Sequence, residues 1–305
     1  MNYSRSQAEE TTPLVSIITP AYNQAAYIEE TIRSILDQNY PRIEYIILDD
    51  GSTDNTADIL KKYGENLIWE THANMGEALT VNKGFRMVQG DFVVVVNSDD
   101  ILLPGAVDVA VAFMQSHPDI LVGYPDWDII DSESKVKGHR EVQEFNYVHM
   151  VKHHYCQVGP GAFIRRRAFT IAGLRDPDFK YVGDYEYWLR LGLFGEFARI
   201  PATLAAWREH PVAASNSCKG EAMADEHVRV MMKYYTRPDI PVEIRCARHE
   251  ALCRAHIDAA LTCGFRARLM LKHLLIGFGY HPPAMLTNIY RLATKTAIRN
   301  SGHLV

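Results

Sequence analysis

Short apolar runs and amphipathic segments alternate through the first two-thirds of the chain. Four runs are short, rich in β-branched residues and apolar at consecutive positions, as expected for strands buried on both faces of a parallel sheet. These predicted strands are Leu14–Ile18, Ile43–Leu48, Leu67–Glu70 and Phe92–Val96. The segments between them have helical periodicity, and the predicted helices are Ala25–Gln38, Thr53–Tyr63, Glu77–Val88 and Gly105–Gln115. This alternation predicts an α/β fold with a mostly parallel sheet flanked by helices.

Polar clusters follow all four predicted strands, at the edge where such sheets bind ligands. The clusters are Thr19–Asn23, Asp49–Asp54, Asn74–Gly76 and Asn97–Asp100. Turn and cap formation explains each cluster separately, but it does not explain acidic pairs at two strand ends, where like charges repel. Paired carboxylates suit Mg²⁺ or Mn²⁺, which bind a few carboxylates together with substrate phosphates.

Two common phosphate-binding motifs are absent from the sequence. No G-x-x-x-x-G-K-[ST] segment occurs, which argues against P-loop chemistry, and no G-x-G-x-x-G follows the first strand, which argues against a dinucleotide-binding domain. The remaining interpretation is a site in which loops hold a nucleotide and a metal ion binds its phosphates.

The C-terminal part differs in charge. Residues 1–227 carry 20 Lys/Arg and 33 Asp/Glu, a charge of −13, whereas residues 228–305 carry 12 and 4, a charge of +8, and the two sum to −5. An apolar stripe on one face of a predicted helix comprises Ala267, Met270, Leu271, Leu274 and Phe278. Further on, Arg291, Lys295 and Arg299 recur every four residues. Two interpretations stay open: the basic helices contact an anionic membrane, or they pack on the α/β domain with a solvated basic face. Nucleic acid is not expected as a partner, because aromatics are not interleaved with the basic residues.

The sequence predicts a cytoplasmic protein, with peripheral contact at the inner face of the cell membrane as the alternative. No apolar run is long enough to span a bilayer, and the N-terminus has no apolar core for a signal peptide. The five cysteines show no CxxC spacing, so a disulfide framework or zinc ribbon is not expected. The cluster His153, His154 and Cys156 is interpreted as a loop or helix edge.

Three long segments, in this order, resemble family 2 glycosyltransferases. They are VSIITPAYNQAAYIEETIRSILDQNYPRIEYIILDDGSTDNT, NMGEALTVNKGFRMVQGDFVVVVNSDDILLPGAV and GPGAFIRRRAFTIAGLRDPDFKYVGDYEYWLRL. The resemblance implies a GT-A (Rossmann-like) fold and inverting transfer of a sugar from a nucleotide donor to an acceptor hydroxyl. It predicts a flexible N-terminus (1–13), a GT-A catalytic domain (14–217) and a basic helical C-terminal extension (218–305).

The resemblance also implies residue roles in nucleotide and metal binding. The implied nucleotide-binding residues are Thr19, Pro20, Ala21, Tyr22, Asn23, Asp50, Asn74, Gly76, Lys83 and Asp99. Asp50 is expected to accept the N3–H of uracil or thymine, a donor that cytosine lacks, and so to select a UDP- or dTDP-sugar. Asp99 and Asp100 match the acidic motif for Mg²⁺ or Mn²⁺, with either as the ligand. For His210 three roles stay open: completing the metal shell, binding the diphosphate, or lying at the surface near the end of the domain. Many relatives have Asp where this chain has Asn97, so the usual Asp-x-Asp pattern is incomplete.

Asp184 matches the family's catalytic base, although Gly183 replaces the Glu found before it in many relatives. Inverting transfer needs one base to deprotonate the acceptor hydroxyl. Glu186 is the neighbouring rival, and capping of a helix at Tyr185–Leu193 is the structural alternative for Asp184. Arg208 and His210 match an Arg-x-His near the end of the family domain, whereas a loop role is favoured for Asp126, Asp128 and Asp131.

The predicted function is a metal-dependent glycosyltransferase of the hexosyltransferase class, serving surface polysaccharide or glycoconjugate synthesis. A saccharide or lipid-linked saccharide is the expected acceptor. Single-sugar addition is favoured, because the chain lacks the added membrane spans and the Gln-x-x-Arg-Trp motif of processive synthases. The alternatives are a sugar-nucleotide pyrophosphorylase, whose Gly-rich basic first loop is absent, and a non-catalytic nucleotide-sugar-binding protein.

Overall fold

The computed structural model describes residues 12–210, 220–263 and 266–287. These residues form two compact units. One, the sheet unit, contains 12–145 and 157–210, and the other, the helical unit, contains 146–156 and the residues described from 220 onwards. Most of the predicted N-terminal segment, the predicted boundary at 217/218 and the basic positions Arg291, Lys295 and Arg299 lie outside the described residues.

Regular elements account for most of the part of the chain that the structure describes. The strands are β1 Val15–Ala21, β2 Ile43–Asp49, β3 Ile68–Thr71, β4 Phe92–Val95, β5 Ile101–Leu102, β6 Val122–Ile130, β7 Val136–Arg140, β8 Phe163–Arg165 and β9 Phe197–Arg208. The helices of the sheet unit are α1 Ile28–Leu36, α2 Thr56–Lys61, α3 Glu77–Met87, α4 Ala106–Ser116, α6 Arg167–Ala172 and α7 Gly183–Leu191. Those of the helical unit are α5 Tyr147–His153, α8 Glu221–Tyr234, α9 Val242–Cys246, α10 Arg248–Thr262 and α11 Ala267–Tyr280.

All the strands join one sheet of order β3-β2-β1-β4-β8-β6-β9-β5, with β7 paired to β6. The four strands predicted from apolar runs, β1 to β4, are mutually parallel, which confirms the α/β class. The other half is mixed: β8 runs antiparallel to β4 and β6, while β9 runs parallel to β6. Strands β5 and β8 are only two and three residues long, too short to give a periodic signal.

Helices cover both faces of the first half of the sheet, which explains its consecutive apolar residues. Ile17 packs with α1 and α4 on one face. Its neighbour Ile18 packs on the other face with Val81 and Phe85 of α3. Gly84 lets α3 come close, because a Cβ at this position would lie 2.7 Å from Cγ2 of Ile18.

In the helical unit, Leu274 of the apolar stripe packs against Cys253 and Ile257 of α10, but most of the stripe does not. His273 and Gly277 are buried against α10, whereas Leu271 and Phe278 of the predicted apolar stripe are 55% and 44% exposed. Gly277 explains why this side of α11 faces α10. A Cβ at this position would lie only 3.1 Å from the Cβ of His256 on α10, so only glycine allows the two helices to come this close. No helix within the described ranges is long and apolar enough to cross a membrane.

Two buried histidines of this unit make its stability depend on pH. Burial, together with the neighbouring ring of His154, lowers the pKa of His227 to about 4, and burial beside His273 does the same for His256. An unfolded histidine titrates near 6.5, so between these values the unfolded chain binds more protons and stability is lost as pH falls. We expect the melting temperature to drop between pH 7 and pH 5 and the His227→Gln variant to show a shallower drop. If the melting temperatures of the unaltered chain and the His227→Gln variant fell equally with pH, His227 would not cause the pH dependence.

Candidate active site

The loop after β1 is fastened to the loop after β2. Asn23, at φ 54°, accepts at its side-chain oxygen from the backbone N–H of Thr53 at 2.8 Å, and its own N–H donates to the Ser52 hydroxyl at 2.9 Å. Asn is one of the few non-glycine residues that adopts this conformation readily. The polar clusters after the first two strands therefore form one surface.

The loop after β2 is fastened in turn to the loop after β3. Both oxygens of the buried Asp50 carboxylate accept backbone N–H groups, from Met75 at 2.7 Å and from Gly76 at 2.9 Å. Gly51 permits this approach: its φ is +75°, and a Cβ there would lie 2.9 Å from the N of Asn74. Three of the four predicted clusters are thus joined.

These contacts change the interpretation of several predicted nucleotide-binding residues. Thr19, Pro20 and Ala21 belong to β1 rather than to a loop, and the buried Thr19 hydroxyl lies 3.2 Å from the Tyr45 hydroxyl. Only Tyr22, 48% exposed, and Asn23 stand at the strand end. Nucleotide contacts by the three strand residues stay a prediction.

Asp50 and Lys83 also have partners within the sheet unit. The Asp50 carboxylate holds the 75–76 backbone, and Nδ1 of His72 lies 3.5 Å from its Oδ1. Lys83 pairs with Glu70 at 2.9 Å, and both side chains are about one-third or more exposed. Their roles in donor binding stay predictions as well.

The acidic pair after β4 is divided into a buried and an accessible carboxylate. Asp100 is buried and accepts the backbone N–H of Arg208 at 3.0 Å and the Asn97 amide at 3.2 Å. Burial, with the adjacent charge of Asp99, raises the pKa of Asp100 well above its ordinary value. Asp99 is 17% exposed at its side chain and lies 3.0 Å from Nε2 of His210.

A fully buried guanidinium supports this acidic turn. Arg208 donates to the carbonyl of Asp99 at 2.8 Å, to Glu30 of α1 at 2.6 Å and to the Ser134 hydroxyl at 2.8 Å. Its plane also lies over the ring of Tyr27, 4.9 Å from the centroid. Sequence reasoning identified Arg208 but missed these partners, because they come from segments far away in the chain.

The donor set fits a divalent cation only in part. Asp99 offers a reachable carboxylate with the His210 imidazole beside it, whereas Asp100 is committed to Arg208 and Asn97. No group of three or more His, Cys, Asp or Glu side chains arranged to hold a metal occurs in the described parts of the chain. A cation here therefore fits only if substrate phosphates complete its shell, as is usual for Mg²⁺.

The first turn of α7 separates the two candidate bases. Asp184 is exposed. Glu186 is buried, and Arg190 binds it through two nitrogens at 2.5 and 2.8 Å. The helix begins at Gly183, with Val182 in the capping position, so the predicted capping role of Asp184 at Tyr185–Leu193 is wrong. Asp184 is the accessible acid of the two, and its Oδ1 accepts the backbone N–H of Tyr185 at 2.7 Å.

Two residues that the sequence did not single out fix the segment leading to α7. Asn82 of α3 bonds to both the carbonyl and the N–H of Arg175, at 2.8 Å each. Arg175 also reaches Glu77, the first residue of α3, at 3.1 Å. This segment is thereby tied to the helix that follows the third polar cluster.

The three remaining candidate acids have structural partners. Asp126 forms a bidentate pair with Arg199 at 2.7 and 3.0 Å, and Asp128 lies 2.9 Å from His139. Asp131 accepts two backbone N–H groups in the β6–β7 turn. Asp126 and Asp128 lie on β6 rather than in a loop, and their contacts hold the sheet together.

This arrangement of sheet and helices is a GT-A type fold. The chain shares it with S. aureus TarS (residues 1–349), crystallised in complex with UDP-GlcNAc, at a TM-score of 0.68 and 18% identity over 89% of this chain and 82% of that chain. The predicted fold class is confirmed.

The chain belongs to glycosyl transferase family 2, whose model matches residues 16–175. It is 29% identical to an uncharacterized glycosyltransferase of Rickettsia typhi over 59% of this chain, and the match spans 58% of that relative's length. It is 31% identical to the UDP-Glc:alpha-D-GlcNAc-diphosphoundecaprenol beta-1,3-glucosyltransferase WfaP of Escherichia coli, over 58% of this chain and 70% of that protein.

The two carboxylates of the acidic turn should differ in their effect on stability. We expect Asp100→Ala to lower the free energy of unfolding by about 1–3 kcal/mol, because the buried N–H of Arg208 loses its acceptor. Asp99→Ala, at a partly exposed position, should cost less than about 1 kcal/mol. Denaturant unfolding of both variants measures the difference, and equal losses would show that the structural role is not confined to Asp100.

Proposed function

We propose that the chain is an inverting glycosyltransferase that moves a single sugar from a UDP- or dTDP-sugar to an acceptor hydroxyl. One observation carries the proposal: in each of two pairs of nearby acids, one carboxylate is bound within the protein and the other is accessible to solvent. Asp100 and Glu186 are each bound by an arginine, while Asp99 and Asp184 remain reachable from solvent. A purely structural set of acids would not leave one member of each pair available.

Asp184 is assigned as the base in this proposal. Its carboxylate would accept the acceptor hydroxyl's proton as the oxygen attacks the anomeric carbon and the bond to the nucleotide diphosphate breaks. Arg190 fixes the helix below it by bonding Glu186 together with the carbonyls of Ala172 and Leu174. No covalent intermediate is required, because a single displacement inverts the configuration.

In the proposal Asp50 binds the nucleotide's uracil or thymine ring. Asp99, with His210 beside it, binds a Mg²⁺ or Mn²⁺ ion. Such an ion, when bound, offsets the charge that develops on the leaving diphosphate. The nucleotide in the TarS complex and the UDP-Glc in the name of the E. coli relative support a UDP-sugar, and the diphosphoundecaprenol in that name supports a lipid-linked acceptor in surface polysaccharide synthesis. Family membership argues against the pyrophosphorylase alternative.

Nucleotide binding tests the donor assignment. Calorimetry should show binding of UDP or dTDP with Mg²⁺ or Mn²⁺, weaker binding of CDP, and loss of binding in EDTA. Asp50→Asn should weaken UDP binding by about 1–3 kcal/mol, because one acceptor oxygen becomes a donor. Asp58→Asn, at an exposed surface pair with Lys61, is the matched control and should change nothing. Full UDP affinity in EDTA would refute the metal role, and equal CDP affinity would refute the role of Asp50.

A pair of isosteric variants tests the base. Asp184→Asn cannot accept a proton at neutral pH, so we expect the rate of transfer to fall roughly 10²–10⁴-fold with little change in donor affinity. Glu186→Gln should leave transfer within a few fold at a permissive temperature but lower the melting temperature, because Arg190 loses its charged partner. Transfer can be measured as release of the nucleotide diphosphate. If Glu186→Gln abolished transfer and Asp184→Asn did not, Glu186 would be the base. If both variants lost donor binding, α7 would have a structural role and the base would lie elsewhere.

A further inference from the structure

Helix α11 is held to the helical unit by one side only. His273 and Gly277 form its buried side, and Nδ1 of His273 lies 3.0 Å from Nδ1 of His256 on α10. At Gly277 a Cβ would lie 2.5 Å from Cε of Met285 and 3.1 Å from Cβ of His256. This close contact fixes the rotation of the helix, so the side chains on its other side cannot turn inward.

The opposite side of α11 presents apolar side chains to solvent. Leu271, Leu275 and Phe278 are 55%, 65% and 44% exposed. At 100° per residue they fall within an arc of about 60°. Leu286, six residues beyond the end of α11, is 59% exposed as well. We call Leu271, Leu275 and Phe278 the apolar face of α11. Clustered exposure of this kind marks an interaction surface.

Basic residues border the apolar face. Arg268 and Lys272 are exposed and lie one helical turn apart, next to Leu271 and Leu275 around the helix. Together with Arg266 they line a depression of about 540 Å³, which also contains Glu221. After Asp258 the chain contains six Lys/Arg and no acidic residue. The surface therefore combines an apolar face with positive charge.

The positive charge of this surface indicates which kind of partner can bind there. The chain's own segment 288–305 carries Arg291, Lys295 and Arg299 and no acid, so it would bring like charge to Arg268 and Lys272. A second copy docked about a two-fold axis would do the same. An anionic phospholipid surface offers both an apolar layer and negative charge. We propose that the apolar face of α11 and its flanking cations dock the chain on anionic phospholipid membranes, lying on the surface rather than spanning it.

This docking is independent of the glycosyl transfer proposed above, because it uses no residue of the candidate active site. A basic residue near an anionic surface strengthens binding about fivefold. Removal of both flanking cations should therefore weaken binding roughly 25-fold.

Vesicle sedimentation of the full chain tests the proposal. We expect binding to phosphatidylcholine vesicles that contain roughly one-third phosphatidylglycerol, little binding to phosphatidylcholine alone, and release at high salt. Arg268→Ala/Lys272→Ala should weaken binding roughly 25-fold, and Leu271→Ser/Leu275→Ser at least tenfold. Val242→Ser, at a 75% exposed apolar position on α9, is the matched control and should bind as the unaltered chain does.

Three results would overturn the proposal. The first is vesicle binding that neither double variant changes. The second is a smaller assembly in light scattering for the Leu271→Ser/Leu275→Ser variant without any vesicle binding by the unaltered chain, which would assign the face to a second copy. The third is vesicle binding that arises only after deletion of 288–305, which would show that this segment covers the face. All the altered side chains are exposed, so the melting temperature should stay constant, and the Arg268→Ala/Lys272→Ala variant keeps the test valid if the leucine variant does not fold.

Discussion

The buried guanidinium of Arg208 is the interaction on which the acidic edge of the sheet depends. An arginine charge removed from water is costly unless it is paired and its donors are bonded. Glu30 supplies the charge at 2.6 Å, and Ser134 and the Asp99 carbonyl accept further N–H groups at 2.8 Å each. One side chain at the end of β9 thereby joins α1, the β6–β7 turn and the turn after β4.

The same network determines which of the two adjacent acids is accessible to solvent. The backbone N–H of Arg208 binds Asp100 and keeps it buried. Asp99 is held through its carbonyl and His210, and its carboxylate is partly exposed. The start of α7 has a similar arrangement: Arg190 binds Glu186, whereas Asp184 is exposed. In both places an arginine binds one of two neighbouring carboxylates, and the other stays accessible to solvent.

The helical unit follows different constraints from the sheet unit. Where α10 and α11 meet, it buries His256, His273 and Gly277 beside apolar side chains such as Leu274, and burial lowers the pKa of His227 and of His256. His273 and Gly277 turn one side of α11 towards α10, so Leu271, Leu275 and Phe278 on the other side face outward. The exposed apolar face is thus a consequence of how closely α10 and α11 approach.

The sequence by itself determined the first half of the sheet and the position of its polar clusters. Consecutive apolar residues in β1, β2 and β4 report burial on both faces, and polar residues must follow where such strands end. The polar cluster after the fourth strand singled out Asp99, and the resemblance to family 2 glycosyltransferases singled out Arg208 and Asp184. Only the tertiary structure decided that β8 and β5 complete the sheet, that Thr19 is a core residue and that His273 rather than Leu271 is buried. Those outcomes depend on contacts between distant segments, such as Glu30 with Arg208 or Gly277 with His256, and no local pattern encodes which distant side chain will fill a given space.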